Sequence, residues 1–600
     1  MFLTVAFCFF FAFSSYSPVV FSFGQKGNIL NNESKSTGIL DVFQVYKPVA
    51  FQPQGHGCNQ ELLLMEHEFA FSFGKPFVGI YEPPQCDFDT VKINFTVTSK
   101  GRQFDRLAFM FLGDVEVFRT STAEPTSNGI VWTYIKDMSQ YNALWKQPQK
   151  LIFDLGNLID KTYTGPFNTT LTASFSKENN VKAPDVILPI SAKRSASNSS
   201  SVFTVPPDTA SVVVNIPAAA SRAVVSISAC GQINEEFWWS NVFNQDIYTF
   251  NNTVGPLLGY SPFREVQLYI DGTLTGVVWP FPIIFTGGVV PGFWRPIVGI
   301  DAFDLRMPEI DISPFLSLLT DGNSHSFEIK VVGLDTNSDG SASLSSTVGS
   351  YWVVTGTIFL YLGGNVSAKS GAPHVVAPDP TFTIARHLAQ DPKTGANTSL
   401  SYSVTAKRTL SIRSPNSQWT QTLSYSNYGL LNQQGFSQWN KQNTQGSFLA
   451  TVPDGTSTTD ISYPIEVNTT LGMTSKELTI DAWMNRGLEI IAKGGRGVST
   501  FTLVSGPSHL YTKQSGKAHY LSINNGPSYS SGDTTDQFNE TSGGSSYSRT
   551  VKAINGTVVS DTEVGAQTSG GLQAEWDVSV GRSVRDILGR GPGDRNKVVL

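Results

Sequence analysis

The sequence predicts an all-β protein, with two tandem β-sandwiches followed by a third β-rich domain. Composition is the first reason: charged residues make up only 15% of the chain, Ser, Thr, Asn and Gly are plentiful, and 40 Phe lead the aromatics. That mix favours strands and turns over charged amphipathic helices. Spacing is the second, since from Phe43 to Ile190 short apolar runs alternate with turn residues every eight to twelve positions or so, as in a sandwich. The third is an internal repeat. FDRLAFMFLGDVEVF leads through Trp132 to KDMSQYNALW and KLIFDLGNL, and FREVQLYIDGTLTGVVW leads to EIDISPFLSLL and SFEIKVVGL. Both copies read strand, tight turn at Asp114 or Asp271-Gly272, strand, Asp-x-Ser turn, strand, at a period of about 165 residues.

Taken in order, residues 1–22 read as a signal peptide whose apolar stretch, Phe2 to Phe13, is too short to span a bilayer. No other segment approaches the spanning length, so a secreted protein with no membrane span is expected. Residues 23–40 are polar and Gly/Asn/Ser-rich, a disordered lead-in. The first sandwich occupies 41–190, where YNALWKQ makes at most one helical turn. Residues 191–203 have almost no apolar content and read as a linker. Lys193-Arg194 inside it is also a dipeptide that secretory-pathway proteases cut, so a plain linker and cleavage into two associated chains both fit. The second sandwich covers 204–375, and the cleft between two packed sandwiches is a natural ligand site. Residues 376–600 form a β-rich C-terminal domain, with strands such as SYSVTAKRTLSIRS and ELTIDAWM, and a flexible tail whose GRGPG follows no strand and opens no helix.

Several function classes lack their parts. A net charge of −6, with no basic run longer than Lys193-Arg194, provides no field for nucleic acid. HExxH, GxSxG, paired CxxC and P-loop motifs are all missing, and DTNSDG imitates an EF-hand start but carries Ser346 at the twelfth position. No metal site and no cofactor is expected. Cys8 leaves with the signal; in an oxidising compartment Cys58 and Cys86 are expected to pair, and Cys230 in AVVSISAC reads as a buried small hydrophobe rather than a reactive thiol. Glycosylation sequons lie at Asn32, Asn94, Asn168, Asn198, Asn251, Asn365, Asn397, Asn468, Asn539 and Asn555.

What remains is carboxylates, arginines and aromatics in irregular loops. GRQFDR places Arg102, Asp105 and Arg106 where a loop enters a strand, and a carboxylate clamped between two guanidiniums serves either as a structural ion pair or as a working group held in position. NEEFWWSN supplies Glu235, Glu236, Trp238 and Trp239; VVPGFWRP supplies Trp294 and Arg295; GIDAFD supplies Asp301 and Asp304. Trp beside carboxylate is the composition of a saccharide site, and equally of core residues beside turn caps.

The run RQFDR, FLG, EVFRTSTAEP and GIVWT, with LGNLIDKTYTG and EEFWWSN, resembles the plant- and fungal-type peptide:N-glycanase A family over roughly residues 41–375. More distantly, both modules are similar to bacterial peptide:N-glycanase F. The resemblance implies two jelly-roll-type sandwiches and a secreted amidase that removes N-linked glycans from glycopeptides, giving Asp and a glycosylamine. It implies a catalytic role for Asp105 in FDR, with Arg106 a neighbouring glycan contact. Glu236 in EEFW is similar to a second site carboxylate, with Glu235 its rival one position away, and Arg295 in FWRP to a site arginine. A further carboxylate of the bacterial first module has no match in YTGPFNTT, and Asp160 is the nearest. On this reading Asp105 would activate a water while Arg295 and Glu236 fix the amide and first GlcNAc. A sandwich that binds glycans without cleaving them, a structural cell-wall protein, and a glycosidase are the rivals.

Overall fold

The computed structural model describes residues 38–565, except 50, 52–56, 179–182, 338, 364–371, 454, 495–507, 525 and 527. The signal peptide, nearly all of the lead-in, the tail beyond 565 and the sequons Asn32 and Asn365 lie outside the described residues. Among the described residues, no helix is long and apolar enough to cross a membrane.

The first sandwich pairs a five-stranded sheet with a four-stranded one. The five strands run in the order Leu40–Asp41, Ile130–Asp137, Thr90–Ser99, Phe167–Ser176, Asn59–Phe69, and the four in the order Phe77–Tyr81, Gln149–Leu155, Leu107–Leu112, Val115–Ser121. Alternation sets the core face: Val91, Ile93, Phe95 and Val97 all show no exposure, packed in one cluster with Ala108, Met110 and Leu112 of the opposite sheet. Leu107–Leu112 is apolar at every position because both of its faces are covered. Its odd residues, Phe109 and Phe111, pack against Val353 and Tyr351 of the second sandwich. Burying such a ring contributes about 1.5–3 kcal/mol, so the strand that Asp105 precedes is pinned at the junction.

The second sandwich repeats the plan. Val186–Ile190, Tyr351–Leu362, Ala220–Gln232 and Glu309–Asp311 form one sheet, joined by Phe203–Val205, and Ala210–Asn215, Ser324–Thr336, Glu265–Ile270 and Thr273–Val278 form the other. The internal likeness extends to hydrogen bonds: Ser139 N donates to Asp137 Oδ1 at 2.8 Å ahead of the short helix Asn142–Trp145, and Ser313 N to Asp311 Oδ1 at 2.9 Å ahead of Leu316–Leu319. The turns are also alike, with Gly113 (φ 59°) in one and Asp271 (φ 47°) and Gly272 (φ 75°) in the other.

Two expected boundaries move. Val186–Ile190, expected to close the first sandwich, is hydrogen-bonded along Gly356–Leu360 and belongs to the second. The 191–203 segment, expected as a linker, is a strapped loop. Ser195 N and Ser201 Oγ both donate to Asp114 Oδ1, at 2.9 and 2.8 Å, and Lys150 Nζ donates to Ser195 O and Asn198 Oδ1. Low hydrophobicity did not mean looseness here, because the serines are hydrogen-bonding partners for the Asp114 turn. Lys193 and Arg194 remain exposed in it.

Among the described residues the C-terminal region is one eleven-stranded antiparallel sheet from His374–Val376 to Thr557–Val564. One sheet cannot bury its apolar face alone. Tyr402, Val404, Trp419, Leu423 and Leu431 therefore join the core of the second sandwich, and Leu488, Ile490, Leu510 and Phe538 close over Ile297 and Ile300.

Candidate active site

Asp105 ends the loop 101–106, which is tied down at several points before its strand begins. Arg102 O accepts from Thr164 N at 2.8 Å and Gly165 N at 3.0 Å, and Gln103 Nε2 donates to Leu158 O at 2.9 Å. Gly101 is needed at this crossing: its φ is 121°, and an added Cβ would stand 2.7 Å from Thr164 Oγ1. Arg106 does not clamp Asp105. Its Nη2 donates to Gln103 Oε1 at 2.7 Å, its Nε to Asn157 Oδ1 at 3.3 Å, and its guanidinium lies 5.6 Å from the Phe73 ring centre. Neither it nor the exposed Arg102 makes an ion pair with Asp105 within 4.0 Å among the described residues, so the expected two-arginine clamp is replaced by longer-range attraction from Arg106.

The partner of Asp105 is instead the second sandwich. The backbone N–H of Gly287 lies close enough to its carboxylate to favour the charged form. An added Cβ on Gly287 would stand 2.7 Å from Asp105 Oδ1 and 2.5 Å from Glu124 Oε1, so both carboxylates converge on that glycine. Glu124 follows the strand Val115–Ser121 by three residues. Its N–H donates to Thr286 Oγ1 at 2.9 Å, and Thr286 Oγ1 donates to Thr122 O at 3.2 Å, so one hydroxyl ties the first-sandwich turn to the second-sandwich loop. Trp294 Nε1 donates to Gly288 O at 2.7 Å and secures the same loop from behind.

Glu235 and Glu236 separate cleanly. Glu235 is fully buried: Arg264 grips it through Nε at 2.5 Å and Nη2 at 2.6 Å, while Gly349 N and Trp352 Nε1 donate at 2.7 and 2.9 Å. Four donors saturate that carboxylate and leave it no capacity for a substrate. Its neighbour Glu236, half-buried, faces the charges of Asp105 and Glu124. Arg295, also half-buried, acts on Glu124 from the second-sandwich side, as do Arg102 and Arg106 from the first.

Three carboxyl groups thus share one cleft, and all are held above their ordinary range. Burial pushes Asp105 from 3.8 up to about 6, although its own backbone N–H, Arg106 and the Gly287 N–H pull it down. Glu124 rises to about 8, first through burial and then through the Asp105 charge, with Arg295, Arg102 and Arg106 offsetting part. Glu236 is pushed well above the usual carboxylate range by burial, then by Asp105 and Glu124. None is sealed, since each side chain keeps part of its surface open, and water there tempers the burial. Asp105 is the first of the three to ionise, and its charge keeps protons on the other two.

Several expected contacts fall elsewhere. Trp238, Trp239 and Trp294 are 3%, 3% and 1% exposed and belong to the second-sandwich core, so they offer no face to a sugar. The aromatics at the cleft are Phe73, 50% exposed beneath Arg106, with Phe104 and Tyr163, whose rings stand 5.3 Å apart. Asp160 is exposed and caps its own turn, accepting from Thr162 N at 2.6 Å and Tyr163 N at 2.7 Å. It is not the third carboxylate; Glu124 is. The sequence carried that signal in the TAEP of the family-like run, where a carboxylate directly follows a strand of the first sandwich. Asp301 and Asp304 pair with Arg306 and Lys136 away from the cleft. Cys58 and Cys86 are disulfide-bonded. Cys230 is free and buried against Phe285 and Leu305, and burial raises its thiol to about 12, which keeps it protonated and inert.

A family model described as peptide N-acetyl-beta-D-glucosaminyl asparaginase amidase A matches residues 48–377 of the chain. The chain belongs to that family. A model of the family's C-terminal domain matches residues 401–465. Among curated proteins, the peptide-N4-(N-acetyl-beta-glucosaminyl)asparagine amidase A of Prunus dulcis is 40% identical over 312 residues, 48% of this chain and 54% of that protein. The match therefore spans about half the length of that relative. Among solved structures, PNGase F of Flavobacterium meningosepticum is 13% identical with a TM-score of 0.34, covering 51% of this chain and 96% of that one. PNGF-II has the same TM-score and identity and covers 51% and 66%. The family match spans both sandwiches, and so takes in every member of the carboxylate cluster.

Proposed function

We propose that the protein is a secreted glycoamidase that hydrolyses the amide between Asn and the first GlcNAc of N-glycopeptides, giving Asp and a glycosylamine. One observation carries the reading: in a member of this family, Asp105 and Glu124 from one sandwich and Glu236 and Arg295 from the other meet in a single cleft whose protons are unequally held.

Amide hydrolysis needs a water delivered to the carbonyl carbon, charge stabilisation at its oxygen, and a proton for the departing nitrogen. Asp105, the first to ionise and lying against Gly287, accepts a proton from that water as its oxygen attacks. Glu236, still protonated, is placed to give its proton to the leaving nitrogen, Glu124, also protonated, to hydrogen-bond the carbonyl oxygen, and Arg295 supplies positive charge beside Glu124. The C–N bond breaks, the water oxygen stays on the new Asp, and the glycosylamine leaves with the proton. Phe73, Phe104 and Tyr163 offer ring faces for the sugar, beside the Arg106 and Arg102 donors.

The test is incubation of purified protein with an N-glycopeptide and mass measurement of the peptide. Asn replaced by Asp, in wild type and not in Asp105→Asn, supports the proposal. A peptide that retains one GlcNAc indicates a glycosidase and overturns it, as does an unchanged peptide.

A further inference from the structure

The outer face of the C-terminal sheet carries a feature the active site does not use. In the middle of the strand Gly455–Met473, Asn468 begins the sequon Asn468-Thr469-Thr470. Register places Trp439 directly opposite it on one neighbouring strand and Trp483 directly opposite on the other. Residues directly paired across strands share a face with Cβ atoms about 5 Å apart, so the asparagine stands between two indoles in one row. Of the six residues flanking these three in sequence, Gln438, Asn440, Val467, Ala482 and Met484 are buried and Thr469 is half-buried, which fixes the row on the outer face.

Eight of the ten Trp among the described residues are 3% exposed or less. Trp483 is 36% exposed, and Trp439 is held upright by its Nε1 donating to Glu466 Oε1 at 3.1 Å and by Tyr428, itself 38% exposed, edge-on at 5.4 Å. The next rows open into a groove of about 630 Å³ lined by Tyr428, Lys441, Glu466, Asn485 and Tyr511 among others, polar groups suited to hydroxyls. Among the described residues the Asn468 amide makes no hydrogen bond, whereas the sequon asparagines Asn198, Asn397 and Asn555 use theirs internally.

We propose that Asn468 carries an N-linked glycan whose first GlcNAc lies between Trp439 and Trp483, with the following sugars running into the groove. The inference rests on the secretory part of the function proposed above and on nothing in its chemistry. The sequon supplies the occupant. The apolar faces of the sugar rings cover two indoles that would otherwise stay in water, and their hydroxyls meet Glu466, Lys441 and Asn485.

The test uses the full chain secreted from a eukaryotic host, in the Asp105→Asn form so that any self-deglycosylation cannot erase the sugar. Glycopeptide mapping is expected to find Asn468 occupied in most molecules; a bare Asn468, whether or not other sequons are filled, overturns the proposal. Iodide quenching of tryptophan emission is then expected to rise in Asn468→Gln and not to rise further when Trp439 and Trp483 are also changed to Phe. Unchanged quenching in Asn468→Gln would mean that the sugar points away from the indoles, and the packing is wrong. Asn468→Gln in the otherwise wild-type chain is expected to leave glycopeptide hydrolysis intact, so failure here and failure of the amidase reading are read separately.

Discussion

Glu124→Gln tests the proton arrangement most directly. Asp105 Oδ1 and Glu124 Oε1 both lie within 2.7 Å of one point above Gly287, so they are no more than about 5 Å apart, where two negative charges at an effective dielectric near 20 repel by about 3 kcal/mol. That separates their ionisations by about two pH units, as the rise of Asp105 to about 6 and of Glu124 to about 8 indicates. In the wild type, kcat/KM for a glycopeptide should climb as Asp105 ionises, at or somewhat below 6, and fall as Glu124 loses its proton, at or somewhat below 8. Glutamine cannot ionise but keeps an N–H donor. In the variant the alkaline limb passes to Glu236, whose proton burial holds well above the usual carboxylate range, and should leave its wild-type position, while activity near pH 6 falls by no more than about tenfold. The assay is a pH profile of peptide product by mass spectrometry. An alkaline limb that stays in place refutes the assignment of Glu124 as the proton-holding group. A loss near a thousandfold at every pH would show that Glu124 works ionised, and that the roles of Asp105 and Glu124 are reversed.

The three raised carboxyl groups also set a sign for stability. The native state holds their protons more tightly than the unfolded chain, so their contribution is fully present below about pH 4 and is lost as pH rises towards 8; Glu124→Gln should flatten that fall in a denaturation series by on the order of 1 kcal/mol. Glu235→Ala strands Arg264 unpaired in the core and should cost about 3–5 kcal/mol of stability, whereas Glu236→Gln should retain the wild-type melting temperature and lose activity. Gly287→Ala sets a methyl against Asp105 and Glu124, whose flexible ends can shift; kinetics should show at least a tenfold fall in kcat/KM with little change in melting. Gly292→Ala meets Ser531 O at 2.3 Å, a backbone atom that cannot swing away, and should cost about 1–3 kcal/mol together with activity, both read on one preparation.

The two sandwiches were legible because strand alternation and turn chemistry are local. The Asp-x-Ser turns at Asp137 and Asp311 could be matched without knowing what they pack against. Burial was harder to read. Trp238, Trp239 and Trp294 stand beside carboxylates in sequence, yet their indoles turn inward, because adjacency along a chain does not say which side of the backbone a ring takes. Glu235 and Glu236 show the same limit more sharply. They are identical and adjacent, and only the arrival of Arg264 and Trp352 from distant strands decides which is saturated. In TAEP the carboxylate after the strand marks Glu124, but its partner is set only by Gly287, over 160 residues on, which brings it against Asp105.

Arg295 lies in a loop that Trp294 Nε1 ties to Gly288 O and that Phe43 of the first sandwich bonds at Pro296 O and Val298 N. The C-terminal sheet holds the backbone on both sides of it as well: Thr534 Oγ1 donates to Phe293 O at 2.5 Å, Gln514 Nε2 donates to Val298 O at 2.9 Å, and Gly292 and Gly532 cross so closely that neither tolerates a Cβ. Without the sheet this rim would be freer to move, and a displacement of an ångström there would take Arg295 away from Glu124, whose proton it helps to balance. The sheet therefore holds the site by packing against one loop, which is why a methyl at Gly292, outside the cleft, is expected to lower stability and activity together.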